Sequence, residues 1–127
     1  MSFSFNPQQE LIIVRAELEG PSGTGNLRLA LDTGASTTLI SAGMLVTVGY
    51  DPALAPQRVQ ITTGSGVEFV PRITIQKLRA LGEERTGLSV LCHTLPVSAG
   101  VDGLLGLDFF RGHLLAIDFR AGQIDLS

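Results

Sequence analysis

The sequence predicts a mainly β domain with one or two short helices. Three observations point to this. Apolar and polar residues alternate over short runs, clusters of glycine, proline and asparagine punctuate those runs, and only two stretches are candidates for short helices. The chain has 127 residues, of which 44% are apolar, and it lacks tryptophan. That suffices for one core, built mostly from Leu, Ile and Val, and residues 1–127 are expected to form a single domain. A domain of this size buries a modest share of its surface, so dimerisation is a natural supplement.

In chain order, residues 11–18 (LIIVRAEL) read as a strand, an apolar run followed by alternation. The stretch Gly20-Pro21-Ser22-Gly23-Thr24-Gly25-Asn26 is dense in turn formers and makes a hairpin with residues 27–32, where Leu27, Leu29 and Leu31 alternate with Arg28 and Ala30. Thr37–Ser41 reads as a short strand. Residues 42–49 allow a short helix or a loop, with Thr47, Val48 and Gly49 weighing against helix. Two prolines make Asp51–Pro56 a loop.

Residues 58–75 read as a long hairpin. Val59, Ile61 and Thr63 alternate up to the tip Gly64-Ser65-Gly66, and Val67, Phe69 and Pro71 alternate down the other side. Lys77–Thr86 carries the densest charge and reads as a solvent-facing strand and turn. Leu88–Leu95 reads as a strand and Leu104–Gly106 as a short buried one. Leu107–Arg111 reads as a short helix closed by Gly112. A final hairpin joins Leu114–Phe119 to Gln123–Leu126 through Arg120-Ala121-Gly122. The sum is roughly eight short strands, largely antiparallel.

Charge and composition exclude several functions. A net charge of −3 argues against a nucleic-acid partner and supplies no polybasic patch for a membrane surface. No segment reaches the roughly 18–20 apolar residues that span a bilayer. The opening MSFSFNPQQE has no basic residue ahead of an apolar run and does not read as a signal peptide. The lone Cys92 allows no internal disulfide, so a reducing, cytoplasmic setting is favoured. No zinc-type spacing occurs, and neither metal nor cofactor is expected.

The chemistry concentrates at Leu29-Ala30-Leu31-Asp32-Thr33-Gly34-Ala35-Ser36, which occurs once. A buried strand delivers Asp32 onto a glycine turn. Gly34, without a Cβ, lets the backbone approach the carboxylate and offer it N–H groups, and Thr33 adds a hydroxyl nearby. One carboxylate does little alone. Two facing carboxyls can hold a water, share a proton and hydrolyse an amide. With a single copy per chain, such a site needs a second chain.

Three further features follow in order: the Gly-rich hairpin with tip residues Thr63, Gly64, Ser65, Gly66 and Val67, the apolar-apolar-glycine run Leu104-Leu105-Gly106, and the short segment Leu107-Asp108-Phe109-Phe110. With these the chain resembles the retroviral-type (retropepsin-like) aspartic proteases over roughly residues 10–126, and its Leu-Leu-Gly-Leu-Asp-Phe-Phe run is similar to the cellular and bacterial relatives. The resemblance implies a single-lobe, closed β domain acting as a C2 homodimer. It implies Asp32 as the catalytic residue of each subunit, with Thr33, Gly34, Ala35 and Ser36 as the supporting loop and Thr33 bracing across the axis. It implies that residues 63–67 close as a flap over an extended peptide, added as a strand through main-chain hydrogen bonds. Ile40, the flap and residues 95–102 would then wall the groove.

Two details separate the chain from relatives. Ala35 brings no hydroxyl to a charged carboxyl pair, which favours activity at weakly acidic to near-neutral pH. Many retroviral enzymes pair an Asp just after this point with an Arg after the second glycine. Here those positions are Ser36 and Leu107, so both partners are missing together and no buried charge is orphaned.

Other signals carry less. Cys92 and His93 are adjacent in a strand and so point to opposite faces, which reads as a buried thiol beside a surface imidazole. His113 follows a helix end and fits a contact with the helix C-terminus. Asp102-Gly103 precedes an apolar strand and fits a turn. Asp108 fits a brace on the short helix, and Phe109 and Phe110 fit the core. Gly23-Thr24-Gly25 lacks the lysine of a phosphate loop. Two functions compete: a dimeric aspartic endopeptidase acting on peptides or proteins, and a non-catalytic dimerisation or peptide-binding module of the same fold. The intact Asp-Thr-Gly favours the first, because a binding module has no use for two mutually repelling carboxylates.

Overall fold

The computed structural model describes residues 1–127. Twelve strands, two short α-helices and two 3-10 turns make up the chain. The strands are β1 (Ser2–Ser4), β2 (Ile13–Gly20), β3 (Gly23–Leu31), β4 (Leu39–Ile40), β5 (Gln57–Thr63), β6 (Gly66–Thr74), β7 (Lys77–Ala80), β8 (Glu83–Thr86), β9 (Ser89–Cys92), β10 (Gly103–Leu105), β11 (Leu115–Asp118) and β12 (Gln123–Leu126). Helix α1 spans Ala42–Thr47 and α2 spans Leu107–Phe110.

Nine strands form one sheet in the order β5-β6-β9-β4-β10-β3-β2-β7-β8. The other three form a small sheet in the order β1-β12-β11. The large sheet curls around its core, and no ladder joins its end strands β5 and β8. Most ladders are antiparallel, but β10 runs parallel to β3, and β4 runs parallel to β9. Strand β10 is thereby inserted between β3 and β4, bringing residues 103–105 beside residues 29–31 and 39–40.

The alternation expected of β2 and β3 is what the structure buries. Val14, Ala16 and Leu18 of β2 face inward with Leu27 and Leu29 of β3. Leu18, Leu29, Ile40, Leu45, Leu78, Val90, Leu105 and Phe109 are completely buried in one cluster. Each contributes about 2 kcal/mol of hydrophobic stabilisation. Phe109 and Phe110 meet edge to face, centroids 5.7 Å apart, as core residues.

Several expectations change in the folded chain. The chain has twelve strands where roughly eight were expected; among the additions, Ser2–Ser4 pairs with β12, and Lys77–Thr86 folds as the tight hairpin β7–β8. That hairpin is not simply solvent-facing. Leu78, Ala80 and Leu81 are buried, while Lys77, Arg79, Glu17, Glu19 and Glu84 form an ion-pair network on the outer side. Strand pairing with Glu17 and Glu84 satisfies the charges, which frees the alternate face for the core. Hydrogen bonding to Arg79 holds the Glu84 carboxyl below its usual range. Gly23–Gly25 lies within β3 itself, and the turn sits at Pro21-Ser22. Leu88–Leu95 contributes only the shorter strand β9, after which the chain leaves the sheet.

Residues 42–47 resolve as helix because Ser41 caps them, its hydroxyl accepting from the Met44 N–H, while Leu45 and Val48 bury against β3. Gly49 then ends the segment at φ 103°, a conformation that side chains resist. At the other helix, Gly112 takes φ 80° just beyond Arg111, and the His113 N–H returns to the Phe110 carbonyl at 3.0 Å. The expected helix stop is thus realised. No helix is long and apolar enough to cross a membrane.

Candidate active site

Strand β3 ends at Leu31 and the chain turns at once. The Asp32 N–H donates to the Leu105 carbonyl at 3.0 Å, which anchors the turn to the end of β10. The Ala35 N–H closes the turn on the Asp32 carbonyl at 3.2 Å. The Leu107 N–H reaches back to the Ala35 carbonyl at 2.8 Å. Residues 32–35 are therefore laced on both sides to the Leu104-Leu105-Gly106-Leu107 segment, more than seventy positions away in the chain.

The Asp32 side chain is half-buried at this junction, and its Oδ1 accepts the Gly34 N–H at 2.8 Å. Gly34 does not adopt a left-handed backbone, so the turn does not require glycine for its φ. What it requires is proximity, because a Cβ at position 34 would sit 3.1 Å from the carboxylate oxygen. Thr33, Gly34 and Ser36 are exposed, and Ala35 is half-buried. The rim of the loop thus faces solvent in the single chain while its base is fixed.

Gly106 is buried for a similar reason. A Cβ there would lie 2.8 Å from the Ala35 carbonyl oxygen and 2.9 Å from the Thr37 carbonyl carbon. The two loops touch backbone to backbone, and only glycine permits it. Gly103 answers the same demand, since its Cβ would collide with the Leu39 carbonyl oxygen.

Beneath the loop lies a buried polar cluster that the motif did not announce. Thr38 is completely buried. Its hydroxyl donates to Asp108 Oδ1 at 2.6 Å and accepts the Gly106 N–H at 3.1 Å. Its own N–H donates to Asp108 Oδ2 at 3.0 Å. Asp108 also accepts the Phe109 N–H, so it braces α2 as expected and ties it to β4 as well. Nothing in the Thr37-Thr38-Leu39-Ile40-Ser41 run singled out Thr38, which lies just ahead of β4. Replacing Thr38 by Val should cost about 1–3 kcal/mol, because the buried Gly106 N–H loses its acceptor, while Asp108 Oδ1 keeps the Phe109 N–H. Urea denaturation of the two proteins measures the difference.

Asp102 has a structural part. Its Oδ2 accepts the Arg28 N–H at 2.8 Å, and its backbone bonds to Arg28 and Ser41 join β3 to the segment before α1. It holds the entry to β10. Cys92 is buried, and burial pushes its thiol pKa up, which suits an inert side chain. The His113 ring lies 3.3 Å from the Ser127 carbonyl, a contact just beyond the ends of β11 and β12.

The hairpin β5–β6 closes at a two-residue turn, Gly64-Ser65, with Thr63 opposite Gly66. The Thr63 hydroxyl accepts the Ser65 N–H and donates to the Gly66 carbonyl, both at 3.2 Å. Between this hairpin and residues 93–96 runs a cleft of about 730 Å³. Leu39 belongs to its wall, and Ile40 does not. The expectation that Ile40 would line a groove is corrected by strand alternation: Ile40 points into the core, and its neighbour points out. Leu39 is the ladder partner of Leu104, which places the cleft one strand away from the Asp32 turn.

The pattern of the family described as "gag-polyprotein putative aspartyl protease" matches residues 22–112, from the β3 hairpin through α2. Among solved structures, the chain is similar to a retropepsin-like aspartic protease from Rickettsia conorii, with a TM-score of 0.75 at 16% identity, covering 99% of this chain and 88% of that one. No curated protein sequence matches. The matched span includes the Asp-Thr-Gly turn, the hairpin and the Leu-Leu-Gly run laced to that turn, and the chain belongs to the gag-polyprotein aspartyl protease family, with a retropepsin-like single-lobe fold.

Proposed function

We propose that residues 1–127 form one protease domain, an aspartic endopeptidase that works as a C2 homodimer. Each subunit supplies Asp32 to a shared centre on the two-fold axis. One carboxylate takes a proton from a water held between the pair, and that water's oxygen attacks the peptide carbonyl carbon. The other, protonated, carboxyl hydrogen-bonds the carbonyl oxygen and transfers its proton as negative charge develops there. Collapse of the resulting gem-diol breaks the C–N bond, and the amide nitrogen leaves with a proton from the pair. Two carboxyls this close do not both ionise, which is what keeps one acid and one base in place.

The observation that carries this reading is the Asp32 turn itself. A half-buried carboxylate is fixed by the Gly34 N–H and by bonds to Leu105 and Leu107, while the loop around it stays exposed. Half a site held rigidly at a solvent-facing rim suits completion by a second copy. Thr33 would brace the two loops across the axis. Residues 63–67 would form the lid, and the cleft below the hairpin would take an extended peptide. Ser36, Leu104, Leu105 and Gly106 would support the loop.

The test is the concentration dependence of cleavage. With unfolded protein as substrate, the rate per milligram of enzyme should fall as the chain is diluted through its dimer dissociation constant, measured independently by sedimentation. Pepstatin-type inhibitors should suppress the activity. A constant specific rate at concentrations where only single chains sediment would refute the shared centre. A stable dimer that cleaves nothing would favour a binding module.

A further inference from the structure

The hairpin β5–β6 distributes its side chains in an unusual way. In its ladder, Val59 opposes Val70, Ile61 opposes Glu68 and Thr63 opposes Gly66, so these residues share one face. Val70 on that face is buried, and Val59 and Ile61 are half-buried, which makes it the face toward the protein. The other face carries Val67 and Phe69, 56% and 64% exposed. That outer face also carries the polar Arg58, Gln60 and Thr62, and the inner face carries the apolar Val59, Ile61 and Val70. The exceptions are Val67 and Phe69 on the outside and the solvent-exposed carboxylate of Glu68 on the side toward the protein.

Glu68 thereby lines the cleft of about 730 Å³ together with Leu39, Ile61, Thr63, His93 and Leu95. It is the one carboxylate in that wall, and it makes no ion pair within the chain. Three apolar side chains, Leu39, Ile61 and Leu95, and a single exposed carboxylate in one cleft fit an occupant with a methylene stem and a cationic head.

We propose that this cleft is a subsite for a lysine or arginine side chain of the bound peptide, with Glu68 as the residue that sets the preference. The stem packs on Leu39, Ile61 and Leu95, and the ammonium or guanidinium meets the Glu68 carboxylate at the rim. An acidic side chain at the same position is repelled. The pair is solvent-accessible, so its contribution is that of an exposed ion pair, a preference of about fivefold over an uncharged side chain of similar length. This rests on the reading of the cleft as a peptide groove.

Two readouts keep the subsite and the hydrolytic reading separable. In the first, the full chain digests a peptide mixture and the cleavage sites are identified by mass spectrometry. Lysine and arginine should be enriched about fivefold at one fixed position from the scissile bond. Glu68→Gln should erase that enrichment, Glu68→Lys should turn it toward aspartate and glutamate, and Glu68→Asp should retain most of it. Cleavage without basic enrichment, or enrichment untouched by Glu68→Gln, overturns the subsite and leaves peptide hydrolysis standing.

The second readout needs no turnover. Fluorescence anisotropy compares the Asp32→Asn chain binding labelled decapeptides that differ only in a central lysine or norleucine. The lysine peptide should bind about fivefold more tightly at low salt, and the difference should vanish when Glu68→Gln is added. Equal binding of the two peptides overturns the subsite. A Glu68-dependent difference here, with no cleavage by the unsubstituted chain in the first readout, supports the subsite and removes the hydrolytic reading.

Discussion

Replacing Asp32 by Asn is expected to lower kcat/KM for peptide cleavage by about 10³-fold or more while leaving the fold in place. In a homodimer the substitution removes both members of the pair at once, and with them the only groups positioned to take and return the water's proton. The fold should survive for a local reason. The Gly34 N–H now donates to Asp32 Oδ1 at 2.8 Å, and an asparagine amide oxygen can accept the same bond. The backbone bonds of the turn to Leu105 and Leu107 do not involve the side chain. In the proposed dimer the asparagine pair is uncharged and its amides can hydrogen-bond each other in place of the shared proton, so the variant dimer should be no weaker than the parent. Steady-state cleavage, circular dichroism and sedimentation on the same preparations measure all three consequences. Retained turnover would exclude Asp32 from the chemistry.

Gly106→Ala is expected to be the most destabilising single methyl addition in the motif, costing about 3 kcal/mol and lowering Tm by about 10 °C. The added carbon would lie 2.8 Å from the Ala35 carbonyl oxygen and 2.9 Å from the Thr37 carbonyl carbon. Both are main-chain atoms, so no rotamer change relieves the contact. Relief requires the two loops to separate, which strains the Leu107–Ala35 hydrogen bond and displaces the turn that carries Asp32. Cleavage should therefore fall even where the variant remains folded. Gly112→Ala provides the contrast. That position has φ 80° but nothing within 4 Å of the added carbon, so its cost is only the left-handed strain, about 1 kcal/mol. Thermal unfolding of the two variants side by side distinguishes collision from backbone strain. Equal Tm losses would mean that the close approach at Gly106 yields more easily than the geometry requires.

Within single elements, the one-dimensional pattern was a good guide. Alternation in residues 11–18 and 27–32 identified the faces of β2 and β3, and glycine at 112 marked the end of α2, because each depends on neighbours a few residues apart. The hairpin of residues 57–74 was legible for the same reason, since its two strands are joined by a two-residue turn. The Asp32-Thr33-Gly34 turn could be located, and so could the use of its glycine, since the expected approach of the backbone N–H to the carboxylate is what the folded chain shows.

The sequence by itself determined a β-rich chain with one carboxylate on a glycine turn. Only the tertiary structure decided how that turn is held. The insertion of β10 between β3 and β4, the Thr38–Asp108–Gly106 cluster, the exchange of Leu39 for Ile40 at the cleft, and the inward Glu68 all depend on register between distant segments. A strand's period of two fixes which residues share a face, but leaves open which of the two faces looks inward. That choice is made by partners about fifty to seventy positions away, through core burial and backbone hydrogen bonds that no local pattern encodes.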